Sequence, residues 1–340
     1  MPTKVAIVGV TGYAGGELAR LLLRHPEARL VAAVARSHQG EPLRRAQPHL
    51  HAAPDSLVIG ADVSDAECVF TALPAGEAAK QARRWLDDGR TVIDVGSDFR
   101  LRDSKLYERW YGYTHPAPEL LAEAVYGLTE VARDRVRRAR LIANPGCYPT
   151  AALLALAPAL KSNLVTGEII VDAKSGVSGA GHNVDEAYLY GTIDESVRPY
   201  GVPRHRHTPE ITQEAERLFG ARVSLTFTPH LVPMTRGLIA TCYAPLAGRK
   251  SAQDVATAYA REYAEEPFVR VVESYPATKE TLGSNWCLVY PVVDDENARV
   301  VVFAALDNLV KGAAGSALQN FNARFGYPET MGLEAMPLWP

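Results

Sequence analysis

The segment "VAIVGVTGYAGGELARLLLRH", Val5 to His25, constrains this chain more than any other. The apolar run "VAIVGV" reads as a buried strand, and "GGELARLLLRH" has the spacing of an amphipathic helix. Gly9, Gly12 and Gly15 fall between them, where the turn must be tight and the backbone must let a ligand approach. A helix starting there points unpaired N–H groups and the positive end of its dipole into that space, which suits a pyrophosphate. The spacing is G-x-x-G-x-x-G rather than the strict G-x-G-x-x-G, so the glycines alone say little. Their place at the first strand-to-helix turn of an alternating pattern makes them a dinucleotide signal.

That alternation continues for roughly 145 residues. "RLVAAVAR", "ECVFTAL", "TVIDVG" and "RLIAN" read as short strands, and "GEAAKQARRWLDDG" as a helix closed by Gly89. Such a pattern predicts a parallel sheet covered on both faces. After Thr150 the strands lengthen: "EIIVDAKS", "VSLTFTPHLVP", "GLIATCYAPL", "WCLVYPVVDD" and "ARVVVFAALDNL". Several alternate apolar and polar residues, as in a sheet with one face turned from the core. Helices are expected over Thr208–Phe219, Ser251–Glu265 and Val310–Phe325. The fold class expected is α/β. A Rossmann-type dinucleotide-binding domain covers 1–146 plus a returning segment 309–340, and an α+β catalytic and dimerisation domain covers 147–308.

A chain of 340 residues can bury two cores. Its net charge of -3 gives no reason to expect nucleic acid. No apolar run approaches the ~18 residues that span a bilayer, so no membrane partner is expected and the protein is read as cytoplasmic. Cys68, Cys147, Cys242 and Cys287 form no C-x-x-C pair, which argues against disulfides or structural zinc.

An NAD site carries an acid at the end of its second strand, to bond the ribose 2′-hydroxyl. Here that strand ends "VARSHQG", with Arg36 and Ser37 and no acid before Glu41. A cation and a hydroxyl suit a 2′-phosphate, so NADP(H) is the cofactor expected; the plainer alternative is a solvated arginine.

In "NPGCYPT", Cys147 follows a Pro-Gly turn and opens a helical run, "TAALLALAPAL". Unpaired N–H groups at a helix mouth favour thiolate, so the pKa of Cys147 should fall. Pro149 is tolerated in a first turn. The other three cysteines sit inside apolar strands and read as core. A thiolate beside a nicotinamide attacks an acyl group or an aldehyde, with hydride transfer to follow. "PRHRHTPEITQEAERL" supplies His205 and His207 as candidates for the acid/base, with His205 slightly favoured. Thr208 is the expected N-cap of the helix that follows, and Glu210 either orients a ring or contacts substrate. The H-x-H pair lacks a third ligand, so no metal is expected. Ser97 is a candidate near the nicotinamide, and Arg100 and Arg236 are candidate anion ligands.

Taken together, "GVTGYAGGEL", "DVGSDFRL", "NPGCYPTAALLAL", "KSGVSGAG", "HRHTPEI", "PHLVPMTRG" and "LDNLVKGAAGSALQ" span essentially the whole chain. In them the chain resembles the N-acetyl-γ-glutamyl-phosphate reductases of arginine biosynthesis, relatives of the aspartate-semialdehyde dehydrogenases. The resemblance implies Cys147 as nucleophile, an acid/base in the "HRH" segment, and NADPH. By motif, the cofactor falls to Gly9, Thr11, Gly12, Tyr13, Ala14, Gly15, Arg36 and Ser37, with Leu73, Pro74 and Ser97, and with Ser178, Gly179 and Asn308. The substrate, a small acyl phosphate, falls to Arg100, Asn144, Ser175 and Arg236. A homodimer or homotetramer is implied. The alternatives are the related lysine-branch reductase acting on a carrier-bound aminoadipyl phosphate, a cofactor-free cysteine hydrolase, and a non-catalytic NADP-binding sensor.

Overall fold

The first apolar run forms strand β1 (Thr3–Val8), and the helix after the glycines spans Tyr13–Leu22. β2 (Ala28–Val34), β3 (Ile59–Gly60), β4 (Cys68–Thr71), β5 (Thr91–Asp94), β6 (Val125–Tyr126) and β7 (Leu141–Ala143) follow. They build a sheet of order β3-β2-β1-β4-β5-β7-β6, parallel throughout the described pairings. The strand order reverses at β1, which lies between β2 and β4, so the carboxyl end of β1 faces the crevice where such sheets bind ligands. This computed structural model describes residues 1–63, 65–182 and 185–339.

The chain divides into two compact units, Met1–Gly146 with Ala313–Glu334, and Cys147–Gly312 with the residues from Ala335 on. The returning segment groups with the first unit from Ala313 to Glu334, and Gly312 and Lys311 pack within the second unit, against Cys147 and the Phe268 ring. It starts with a π turn, Val310–Ala314, and continues as the helix Gly315–Phe325. Hydrogen bonds tie that helix to the first unit. The fully buried Asn320 accepts from Thr129 Oγ1 at 2.9 Å and donates to the Gly127 carbonyl at 2.8 Å and to Asn144 Oδ1 at 3.0 Å.

In the second unit, β8 (Glu168–Ser175), β9 (Arg198–Pro199), β10 (Ser224–Leu231), β11 (Leu238–Pro245), β12 (Val269–Val271), β13 (Cys287–Asp294) and β14 (Arg299–Leu306) form a mixed sheet. Its order is β12-β13-β14-β11-β8-β10-β9. The helices Cys147–Lys161, Thr208–Phe219 and Ala252–Tyr263 pack against this sheet. Alternation puts Ile170, Tyr243, Val301 and Val292 in one cross-strand row, with Asp172, Thr241, Phe303 and Tyr290 in the next on the same face. Ile170, Tyr243, Val301, Val292, Phe303 and Tyr290 remain partly or fully exposed in the single chain.

The helix Cys147–Lys161 is the spine of this unit, and from Tyr148 to Leu160 every side chain is buried. Pro158 lies inside it and has no N–H to offer the carbonyl of Leu154. The Tyr263 hydroxyl supplies that missing donor. Tyr259 donates to the neighbouring Ala155 carbonyl at 2.6 Å. The proline is tolerated because the helix Ala252–Tyr263 brings a hydroxyl to the one carbonyl that the missing N–H leaves without its helical donor.

Candidate active site

In the first unit the glycine turn is shaped from both sides. Gly9 has φ +96°, and a Cβ there would sit 2.3 Å from the Ala72 carbonyl oxygen. A Cβ on Gly15 would lie 2.2 Å from the Gly9 oxygen. These two are glycines for packing. Gly12 differs, because a Cβ there would meet only the Gly9 oxygen at 3.6 Å. It caps the helix Tyr13–Leu22 without any side-chain hydrogen bond, and the first turn, with Tyr13 and Ala14, holds no acid. An open cradle at an uncapped, acid-free helix start fits a pyrophosphate. Thr11 Oγ1 lies 3.5 Å from Ser37 Oγ, so the turn meets the end of β2. Leu73 flanks Gly9, with Pro74 next in the chain.

Arg36 is where the sequence reading was incomplete. Its guanidinium is ion-paired with Glu77, an acid brought in from the turn after β4. Asp98 fixes that turn by accepting from Gly76 N at 2.7 Å and Ala79 N at 3.0 Å. The Asp94 side chain accepts from Thr71 Oγ1 at 2.6 Å and from Asp98 N at 3.0 Å. Burial, and then the Asp98 charge, raise the Asp94 carboxyl above the usual carboxylate range. Arg100 is buried too, donating from Nε to the Asn144 carbonyl at 2.8 Å and from Nη2 to the Val95 carbonyl at 2.9 Å. Asn144 has no exposed surface and donates to the Ala313 carbonyl at 3.1 Å. Both residues, expected at a substrate, are engaged with the fold through these bonds. Ser97 is half-buried in the loop after β5.

In the second unit Cys147 is the first residue of its helix and only partly buried, whereas Cys68, Cys242 and Cys287 have no exposed surface. Burial pushes the thiols of Cys68 and Cys242 well up, so they are inert. A Cβ on Gly312 would sit 2.7 Å from the Cys147 Cβ, so this glycine lets the π turn back directly onto the cysteine. Two phenols adjoin the thiol. Tyr200 donates to the Tyr148 hydroxyl at 3.2 Å, and Tyr148 to the His230 carbonyl at 3.3 Å. Burial first, then the neighbouring Tyr200, raises Tyr148; burial, with Cys147 among the lesser causes, pushes Tyr200 up to about 12. Both stay protonated donors at neutral pH. Neither tyrosine stood out in the sequence; only their closeness to a thiol marks them.

The two candidate histidines lie together, with ring centroids 4.9 Å apart, and each stands 5.9 Å from the Tyr148 ring. His205 also packs against Phe227 at 5.2 Å and Tyr200 at 5.4 Å. The helix Thr208–Phe219 has the expected span, with His207 rather than Thr208 as its N-cap. His207 N donates to His205 Nδ1 at 3.1 Å, which leaves the proton of a neutral His205 on Nε2. Glu210 is fully buried in the first turn of that helix.

Around the Ser/Gly-rich loop, Ser178 N donates to the Thr235 carbonyl at 3.1 Å. Asn308 donates to Ser178 Oγ at 2.9 Å and accepts from Gly237 N at 2.9 Å. A Cβ on Gly179 would approach Ser175 Oγ at 3.3 Å, so Ser175, Ser178, Gly179 and Asn308 form one cluster. Arg236 pairs with Asp307 at 3.6 Å. Asp307 is itself fixed by Leu309 N at 2.8 Å and Gly283 N at 2.8 Å.

Burial, reinforced by the charge of Arg206, lowers the His205 pKa to about 4. Between pH 6.5 and about 4 the unfolded chain therefore takes up a proton that folded His205 refuses. Stability contributed by this residue falls as pH drops through that window, by about 2–3 kcal/mol in all. Urea unfolding at pH 7 and pH 4.5 is expected to show a smaller pH-dependent loss in His205→Gln than in the native protein. A midpoint near 6.5 for the His205 ring by NMR would contradict the assignment.

Residues 4–139 match the family model described as semialdehyde dehydrogenase, NAD binding domain, and residues 147–308 the one described as semialdehyde dehydrogenase, dimerisation domain. The fold is similar to aspartate semialdehyde dehydrogenase II of Vibrio cholerae complexed with ASA, with TM-score 0.72 at 18% identity over 96% of this chain and 99% of that one. It is also similar to the aspartate semialdehyde dehydrogenase with NADP from Candida albicans, with TM-score 0.71 at 15% identity over 95% and 98% of the two chains. At such identities the likeness concerns the fold. Sequence relatives are much nearer. N-acetyl-gamma-glutamyl-phosphate reductase of Heliobacterium modesticaldum is 46% identical over 99% of both chains. That of Symbiobacterium thermophilum is 48% identical over 100% of both. With two curated relatives aligned end to end at this level, the chain belongs to the N-acetyl-gamma-glutamyl-phosphate reductase family.

Proposed function

We propose that this protein reduces N-acetyl-L-glutamyl 5-phosphate to N-acetyl-L-glutamate 5-semialdehyde, releasing phosphate, through a thioester on Cys147. One observation carries the reading: Cys147, alone among the four cysteines, is partly exposed and opens a helix whose next residue, Tyr148, packs against Tyr200 and the histidine pair. The thiolate, favoured by the helix N-terminus, attacks the acyl carbon; the C–O bond to phosphate breaks and a thioester forms. Arg236, held by Asp307, balances anionic charge on the substrate, and Ser175 lies beside the same loop. Arg100 and Asn144 act by fixing the chain that leads into Cys147. A bound reduced nicotinamide supplies the hydride. His205, neutral with its proton on Nε2, donates a hydrogen bond to the thiohemiacetal oxyanion, which re-forms the carbonyl as the C–S bond breaks, releasing the aldehyde and the Cys147 thiolate. His207 and Glu210 hold the start of the histidine helix, which keeps His205 in place.

The cofactor we propose is NADP(H), on the cradle of Gly9, Gly12 and Gly15, with Arg36 and Ser37 at the 2′-phosphate. The partly exposed face of the second sheet, centred on Ile170, Tyr243 and Phe303, is proposed to meet a second copy in a homodimer or a larger assembly. Sedimentation of the purified protein as a monomer would overturn that assembly.

The reaction is tested in reverse, with N-acetylglutamate 5-semialdehyde, phosphate and NADP⁺. Phosphate-dependent NADP⁺ reduction is expected, reduced about 1,000-fold or more in Cys147→Ala. Equal rates in both proteins would remove the nucleophile. Turnover only with the aminoadipate homologue would keep the chemistry and change the substrate.

A further inference from the structure

Glu77 is ion-paired with Arg36, the cation at the end of β2. Its two carboxylate oxygens are divided: Oε2 faces Arg36, and Oε1 accepts from Lys80 Nζ at 2.6 Å. Its backbone is held between Gly76 and Ala79, whose N–H groups both donate to the buried Asp98. The acid is thus built into the ribose end of the cradle, although it reaches there from the turn after β4 rather than from β2. Arg36 has a side chain 89% exposed and reaches solvent beyond the pair. Ser37, next in the chain, adjoins Thr11 of the glycine turn.

Two ligands would meet this arrangement differently. A 2′-phosphate dianion approaching Arg36 must displace Glu77 or share the guanidinium with it, while Lys80 keeps hold of the other oxygen. A free 2′-hydroxyl instead finds in Glu77 an acceptor, the role an acid at the end of β2 plays in NAD sites. We infer that Glu77 is a specificity-determining residue: it competes for Arg36 and so holds down the preference for the 2′-phosphorylated dinucleotide over the unphosphorylated one. This rests on the NADP(H) reading of the cradle above.

The test is the dissociation constants of NADP⁺ and NAD⁺, by calorimetry at one fixed ionic strength, for the native full-length protein, Glu77→Gln and Arg36→Ala. Glu77→Gln is expected to bind NADP⁺ about three- to tenfold more tightly, with NAD⁺ bound no better, so the ratio rises. A gain in affinity is not what a damaged fold produces. An unchanged or smaller ratio in Glu77→Gln, where Arg36→Ala still abolishes a native preference for NADP⁺, overturns the role of Glu77 alone. If the native protein binds both dinucleotides equally and Arg36→Ala changes neither, the NADP(H) reading and this inference fall together.

Discussion

A nucleophile must be rigid enough to aim and open enough to react, and Cys147, the residue proposed for that role, meets both demands by its place on one helix. The residues behind it, Tyr148 to Leu160, are buried without a break, so the helix cannot shift without opening the core of its unit. Cys147 at its start and Lys161 at its end are the residues that reach the surface. At the start of a helix the positive end of the dipole favours negative charge on sulfur over a neutral thiol. Gly312 backs the cysteine at a distance no larger residue would allow, and the paired phenols of Tyr148 and Tyr200 stand beside it.

Much of the polar machinery of the first unit works on the fold. Asp94, Asp98 and Arg100 all lie in "GSDFRL" or just before it, and all are buried. Asp98 holds the turn that carries Glu77, and Arg100 holds the carbonyl of Asn144 three residues before Cys147. A buried charge without partners costs several kcal/mol, so each group is tied to main-chain donors or acceptors, and those ties fix the loops. Asn320 does the same from the C-terminal helix, joining Thr129, Gly127 and Asn144.

The sequence was most informative where one local pattern determines the outcome. Glu168–Ser175 and Thr208–Phe219 stand within the expected bounds, because alternation and a 3.6-residue period are local properties. The glycine turn was legible for the same reason. β3, β6, β9 and β12 were missed, since strands of two or three residues are defined by a neighbour rather than by their own composition. The acid beside Arg36 was invisible because Glu77 is forty-one positions away along the chain and arrives only through the parallel pairing of β1 with β4. Asn144 and Arg100 carry side chains able to bind a ligand, and no spacing rule reveals that the fold engages them first.

The proposed chemistry needs Cys147 as a thiolate at neutral pH. The most direct test is the pH dependence of its alkylation by iodoacetamide in the folded protein, read by mass spectrometry residue by residue. The account predicts that Cys147 alone reacts, with a midpoint below the ~8.5 of a free thiol, while Cys68, Cys242 and Cys287 react only after unfolding. A Cys147 midpoint at or above ~8.5, or reaction no faster than at the three buried cysteines, would contradict it.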